Sequence, residues 1–347
     1  MKILLISPKM DKPNGGIAVW TEAYLASCEK RGADVSLVNT AAIGIRAEDG
    51  SASRNYSDEF KRTRRIFSDL KKVLARDSFD VAHVNSSCGT FGVIRDYLTA
   101  KRIKSKTSAK VITHFHCDIP YQIGNFISRF FLKRLVAYSD TCLVLCQNSK
   151  VYLRELCGVD STLIPNFIDG NQIVSKKQIS EKLTRAFYVG RVERAKGIAE
   201  LLEAAGALPE LSFDLAGAVS DEIRALPKPD NVTFLGALSH DEVLSYMDSA
   251  DIFVFPTHSE GFSLALLESM ARGLPSVATS VGANRDMIES VGGAVIEPKN
   301  ATALVTAISS LCDSNMRAEI SASSIAKVRE NYTVDKVLDR LFELYRH

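Results

Sequence analysis

The 347-residue sequence contains no Gly-x-Gly-x-x-Gly, so the fingerprint of a dinucleotide-binding turn is missing. It contains no Asp-x-Asp, so a divalent cation bridging a diphosphate has no obvious holder. No apolar run reaches the length needed to span a bilayer. The opening run at residues 1–8 ends at Pro8, too short for a transmembrane helix and without a signal peptide's cleavage region. It reads as a first buried strand. Net charge is only +2, which gives no global basic field and argues against nucleic acid as a partner. The seven cysteines (Cys28, Cys88, Cys117, Cys142, Cys146, Cys157 and Cys312) form no Cys-x-x-Cys pair and no zinc-type spacing. They read as buried, reduced thiols of a cytoplasmic protein.

What is present is an ordinary globular composition, 46% apolar and 24% charged, in a chain longer than one core usually holds. Two domains follow. Short apolar runs at 3–7, 35–39, 81–85, 111–114, 141–145 and 161–164 read as strands of the first half. Those at 186–189, 212–216, 232–235, 252–255, 276–279 and 294–296 read as strands of the second. Helical patterns such as 17–31 and 60–76 lie between them. Continuous apolar strands alternating with helices predict α/β architecture, with two doubly wound, Rossmann-like parallel sheets covered on both faces. The boundary falls near Pro165-Asn166-Phe167-Ile168-Asp169-Gly170, giving domains at 1–167 and 168–332, with a helix at 333–347 able to complete the first.

Ligands of such sheets bind beyond the carboxyl ends of the strands, and two facing sheets would frame one deep cleft. The turns after strands therefore matter most. After the run at 252–255 comes Ser259-Glu260-Gly261-Phe262-Ser263-Leu264-Ala265-Leu266-Leu267-Glu268, a glycine-bearing turn that enters a helix, stopped at Gly273 and Pro275. A helix N-terminus offers unpaired N–H groups and partial positive charge, which suits a diphosphate. Flanking carboxylates can accept hydrogen bonds from sugar hydroxyls. With Ser263 as the cap, Glu268 stands roughly 7.5 Å along the axis, where it could reach a ribose diol, and Glu260 on the turn could face the sugar; the alternative is two solvated glutamates around an ordinary cap.

Arg191 and Lys196, on a loop bounded by Gly190 and Gly197, suit the negative charge of a departing diphosphate. Gly15 and Gly16 permit a tight turn, either an ordinary one or one that approaches a ligand. His114 and His116 straddle the end of a strand, with Asp118 beyond; one histidine could touch a substrate hydroxyl while the other packs. A metal there lacks further ligands. The segment 125–138 interleaves Phe126, Ile127, Phe130 and Phe131 with Arg129, Lys133 and Arg134. It reads either as a core-packing helix with a solvated basic edge or as a helix lying on an anionic membrane. The basic segment 60–76 has a narrower apolar face.

Taken together, these residues resemble the retaining glycosyltransferases of the GT-B fold, the group 1 or family 4 type, along essentially the whole chain. The most specific element is the Glu-x7-Glu signature from Glu260 to Glu268. Gly190-Arg191, Lys196-Gly197, Gly236, Gly273-Leu274-Pro275 and Pro165-Asn166 with Asp169 surround it. The resemblance implies that Arg191 and Lys196 hold the donor diphosphate with backbone amides at Phe262, Ser263 and Leu264. It implies that Glu268 binds ribose, that Glu260 contacts the donor sugar, that Gly16 approaches the diphosphate, and that His116, more than His114, meets the sugar. Gly15 and Gly261 belong to the same donor site.

The implied reaction moves a sugar from a nucleotide diphosphate to a hydroxyl of a polysaccharide or lipid-linked oligosaccharide in bacterial surface glycan synthesis. Anomeric configuration is retained, the domains close on the donor, and no metal or other cofactor takes part. The implied place is the cytoplasm, at the inner face of the membrane. A GT-B nucleotide-sugar epimerase and a catalytically silent nucleotide-binding subunit are the alternatives. Two departures stand out. The family's Pro-Asn-Gly-x-Asp reads Pro165-Asn166-Phe167-Ile168-Asp169, and its Gly-Gly-x-Pro-Glu reads Gly282-Ala283-Asn284-Arg285-Asp286, where the donor sugar is usually read.

Overall fold

A computed structural model describes residues 1–10, 16–43 and 56–346. Contacts divide the chain into two units, Met1–Asn166 with Val337–His347, and Phe167–Lys336. Each is built on a six-stranded sheet in which every pairing is parallel.

In the first unit β1 (Lys2–Ser7), β2 (Asp34–Asn39), β3 (Val81–Ser86), β4 (Lys110–Phe115), β5 (Thr141–Val144) and β6 (Thr162–Leu163) lie in the order β2-β1-β3-β4-β5-β6. In the second, β7 (Arg185–Val189), β8 (Ser212–Ala216), β9 (Val232–Gly236), β10 (Ile252–Phe255), β11 (Ser276–Thr279) and β12 (Ala294–Ile296) lie in the order β12-β11-β10-β7-β8-β9. Central strands are buried along their length, β3 and β10 at every residue, because helices cover both faces. That is why apolar runs rather than alternation mark them in the sequence. Parallel pairing also puts all carboxyl ends of a sheet on one edge, so the loops that follow the strands gather there.

The helix Val334–Arg346 buries Val337, Leu338, Leu341, Phe342 and Tyr345, a stripe at helical spacing that packs in the first unit. Lys110 Nζ donates to the Leu344 carbonyl, and Arg31 pairs with Asp339 at 2.8 Å. The departure at Phe167-Ile168 has a packing reason. Both residues are buried, and Ile168 forms a parallel bridge with Thr333, its N–H donating to the Tyr332 carbonyl at 2.8 Å. A glycine there would forgo that burial.

Candidate active site

In the second unit the loops after β7, β10 and β11 are tied to one another along the carboxyl edge. The His258 N–H donates to the Ala195 carbonyl at 3.0 Å, joining the β10 loop to the β7 loop. The Ala283 N–H donates to the Gly261 carbonyl at 3.1 Å, joining the β11 loop to the β10 loop. Close backbone approach makes these contacts possible. Gly197 has φ 71°, and a Cβ there would lie 2.0 Å from the Pro256 carbonyl oxygen. Gly282 has φ 55°, and its Cβ would lie 2.2 Å from the Glu260 carbonyl oxygen. Neither position admits a side chain without moving the turn that carries Glu260.

On this frame Lys196 forms an ion pair with Glu260, and both side chains are largely buried. Arg191 stands nearby with its side chain 65% exposed and Nη1 3.0 Å from Glu193 Oε2. The Tyr188 hydroxyl donates to the Arg191 carbonyl at 2.8 Å. Burial raises the Tyr188 pKa, Glu260 and Glu193 raise it further, and Arg191 lowers it, so Arg191 and Glu260 share one electrostatic neighbourhood. Ser263 caps the helix Leu264–Ala271, its hydroxyl accepting from the Leu266 N–H at 3.2 Å. Gly261 and Phe262 form the turn before it, and Phe262 packs edge-on against Tyr332 with ring centroids 5.9 Å apart.

Glu268 lies farther along that helix, its side chain 23% exposed. Burial raises its pKa, partly offset by His240, whose Nδ1 lies 4.0 Å from Oε1. Gln172 Nε2–H donates to His240 Nε2 at 3.1 Å, which directs the Nδ1–H toward Glu268. Neither His240 nor the His258–Glu200 pair, at 3.1 Å, was expected from the sequence, because no local motif contains them. Within the departed segment, Asn284 is fully buried and its amide nitrogen and oxygen have no partner among the described residues. Arg285 pairs with Glu289 at 2.7 Å and Glu297 at 3.5 Å.

In the first unit Gly15 lies outside the described residues. Gly16 opens the helix Gly16–Lys30, and a Cβ there would meet nothing within 4 Å among the described residues. His114 is the penultimate residue of β4 and His116 follows the strand, with ring centroids 4.0 Å apart. Asp118 accepts from Asn148 Nδ2 at 3.0 Å. Among the described residues no group of three or more His, Cys, Asp or Glu is disposed to hold a metal.

The histidines belong to a larger buried cluster. Trp20 stacks on Tyr24 and on His83, with centroids 4.7 and 5.4 Å away, and meets His114 and His116 edge-on at 5.7 and 5.2 Å. Asn85 Oδ1 lies 2.9 Å from His83 Nε2 and 3.0 Å from His116 Nε2. Burial lowers all three histidine pKa values. Those of His83 and His116 fall to about 3 despite the opposing influence of Asn85 on the first and Asn166 on the second, so the rings are neutral.

Two parallel-sheet units, one carrying a cationic loop beside a capped helix entry and two largely buried carboxylates, define a GT-B protein. The family model for glycosyl transferases group 1 matches residues 170–327, and that for glycosyltransferase family 4 matches residues 14–172. The two cover most of the chain between them, and the chain belongs to this group of glycosyltransferases.

TuaC of Bacillus subtilis, a glycosyltransferase ascribed to teichuronic acid biosynthesis, is 28% identical over 69% of this chain and 63% of its own length. The chain thus spans under two thirds of that relative. CapM of Staphylococcus aureus, a capsular polysaccharide biosynthesis glycosyltransferase, is 22% identical over 87% of this chain and 89% of its own. HepE of Anabaena, solved in complex with UDP, shares the fold with a TM-score of 0.73 and 15% identity, all of each chain being covered.

Proposed function

We propose that this glycosyltransferase moves a sugar from a nucleotide diphosphate donor to a hydroxyl of a bacterial surface glycan or its lipid-linked precursor, with retention at the anomeric carbon. The observation that carries the reading is the convergence of Lys196, Glu260, Arg191 and the Ser263-capped helix entry on one sheet edge. Arg191 and Lys196 neutralise the charge that develops on the departing diphosphate. Backbone N–H groups at Phe262, Ser263 and Leu264 add to that cradle. Glu260 receives donor-sugar hydroxyls and Glu268 the ribose diol. Gly16 gives the diphosphate close backbone access, and His116 meets the sugar.

The acceptor hydroxyl attacks on the face the diphosphate leaves, and the departing phosphate oxygen takes its proton. Charge neutralisation in this scheme comes from side chains, so EDTA leaves turnover unchanged. The relatives in capsule and teichuronic acid synthesis support a surface-glycan acceptor.

An anionic membrane is the proposed surface on which the acceptor is met. Phe126, Ile127 and Phe130 of the helix Phe126–Ala137 are 82%, 54% and 44% exposed beside Arg129, Lys133 and Arg134. No described helix is long and apolar enough to cross a membrane, so contact would be peripheral.

Thermal-shift screening with UDP, GDP and ADP sugars names the donor, because a ligand preferring the folded state stabilises it by about 2.7 kcal/mol at a hundred times its Kd. The anomeric configuration of the transferred sugar then tests retention by NMR. An inverted product, or conversion of the donor without any acceptor, overturns the proposal.

A further inference from the structure

Under the proposed function Lys196 serves the diphosphate and Glu260 the sugar, yet in the structure the two side chains hold each other. They are 16% and 19% exposed, so the pair is weakly screened and both groups can still be reached. Among the described residues neither side chain has a second ion-pair or hydrogen-bond partner. The nearby Tyr188 hydroxyl is no substitute, because it donates its one proton to the Arg191 carbonyl at 2.8 Å.

The backbone under the pair is fixed. Lys196 ends a short turn, Arg194–Lys196, and its N–H donates to the Glu193 carbonyl at 3.0 Å. Gly197 packs on the Pro256 carbonyl and Gly282 on that of Glu260. His258 adds a side-chain tie between the two loops, its Nε2 lying 3.1 Å from Glu200 Oε1. With both loops pinned, what can change is the rotamers of two long side chains. A diphosphate oxygen that takes the Lys196 ammonium removes the counter-charge of Glu260. A largely buried carboxylate is then left unpaired beside an anion, which is unfavourable on both counts. A sugar carried by the diphosphate changes the outcome, because its hydroxyls donate to the carboxylate in place of the ammonium.

We propose that the Lys196–Glu260 ion pair is a specificity-determining lock: Lys196 is released to the diphosphate only when a donor sugar takes over Glu260. The enzyme thereby discriminates a nucleotide diphospho-sugar from the bare nucleoside diphosphate. Once the sugar has been transferred, Glu260 loses its hydroxyl donors and reclaims Lys196, and the product diphosphate is let go. This rests on the roles proposed for Lys196 and Glu260, and adds that the two contacts are coupled and in which direction.

The test is calorimetric titration of the full chain with the nucleoside diphosphate that thermal shift selects among UDP, GDP and ADP, and with its sugar conjugate. The parent protein should bind the conjugate more tightly than the bare diphosphate. Glu260→Gln keeps the length of the side chain and an acceptor oxygen but gives up the charge that holds Lys196. It should bind the bare diphosphate about fivefold more tightly than the parent does, or better, and the conjugate no more tightly. A residue that only touches the sugar would leave affinity for the bare diphosphate where it was, so an unchanged or weakened value overturns the lock. Glu193→Gln controls for charge alone. It removes a carboxylate from the same loop, but its partner Arg191 is 65% exposed, so its effect should stay within about twofold. A gain as large as that of Glu260→Gln means general repulsion and sinks the proposal. If Glu260→Gln does not fold, the parent decides: tighter binding of the bare diphosphate than of the conjugate refutes the lock. If the parent binds none of the three diphosphates and none of their conjugates, the donor reading itself fails, and the lock with it.

Discussion

Arg191 is exposed and its ion pair with Glu193 lies at the surface, so removing it costs the fold at most about 1 kcal/mol. Its proposed role is chemical. Arg191→Ala should lower kcat by about a hundredfold or more with the melting temperature nearly unchanged, measured by steady-state transfer and thermal melts. Near-parent turnover would sink its assigned role. Glu268 gives a complementary, pH-dependent prediction. Burial raises its pKa, so on acidification it takes up a proton at higher pH than an ordinary carboxylate, and it loses acceptor capacity toward a ribose diol as it does. Donor affinity should therefore weaken as pH falls through that raised pKa. Glu268→Gln should bind more weakly throughout and show no such limb, by calorimetric titration from neutral to acidic pH.

At the scale of elements, the exposed end of the helix Phe126–Ala137 is the feature with a consequence. Replacing Phe126, Ile127 and Phe130 together with serine should abolish co-flotation with anionic vesicles, because three large side chains no longer enter the interface. The helix's buried residues, Ser128, Leu132, Leu135 and Val136, are untouched, so the fold should persist. Flotation equal to the parent protein would refute the membrane contact.

Elements were also what the sequence displayed most openly. All twelve strands expected from apolar runs are present, six to a sheet, because a strand buried on both faces has no polar residue to interrupt it. The run from Glu260 to Glu268 was legible because its turn, cap and helix are contiguous. The pairing of Lys196 with Glu260 was not spelled out by any motif, since 64 positions separate them. The Asn85 cluster was hidden more deeply. His83 and Asn85 sit inside a wholly buried strand, and Tyr345 reaches His83 across 262 positions. A polar residue in an apolar run signals a partner without naming it.

At the scale of the whole molecule, the three neutral histidines of this cluster, two of them fully buried, make stability depend on pH. The folded pKa values of His83 and His116, about 3, lie below the ordinary 6.5 of an unfolded chain. On acidification the unfolded state takes up protons first. The stabilisation is therefore complete above pH 6.5 and is lost as pH falls toward 3. The slope is up to about 1.4 kcal/mol per pH unit for each histidine. Urea midpoints should drop steeply between about pH 6 and pH 4, with the unit that carries the cluster unfolding first. An unchanged midpoint over that range would contradict neutral burial.

The bond between Tyr24 and Tyr345 joins residues 321 positions apart, both in the first unit. During translation the nascent chain therefore delivers every residue of 167–336 before the ribosome has made Phe342 and Tyr345. The usual vectorial order is reversed. The unit begun first is finished last, while the later one can close as it emerges. Until that late helix docks, Tyr24 and His83 lack the wall that shields them, and a chaperone able to hold an unfinished apolar surface has its window there.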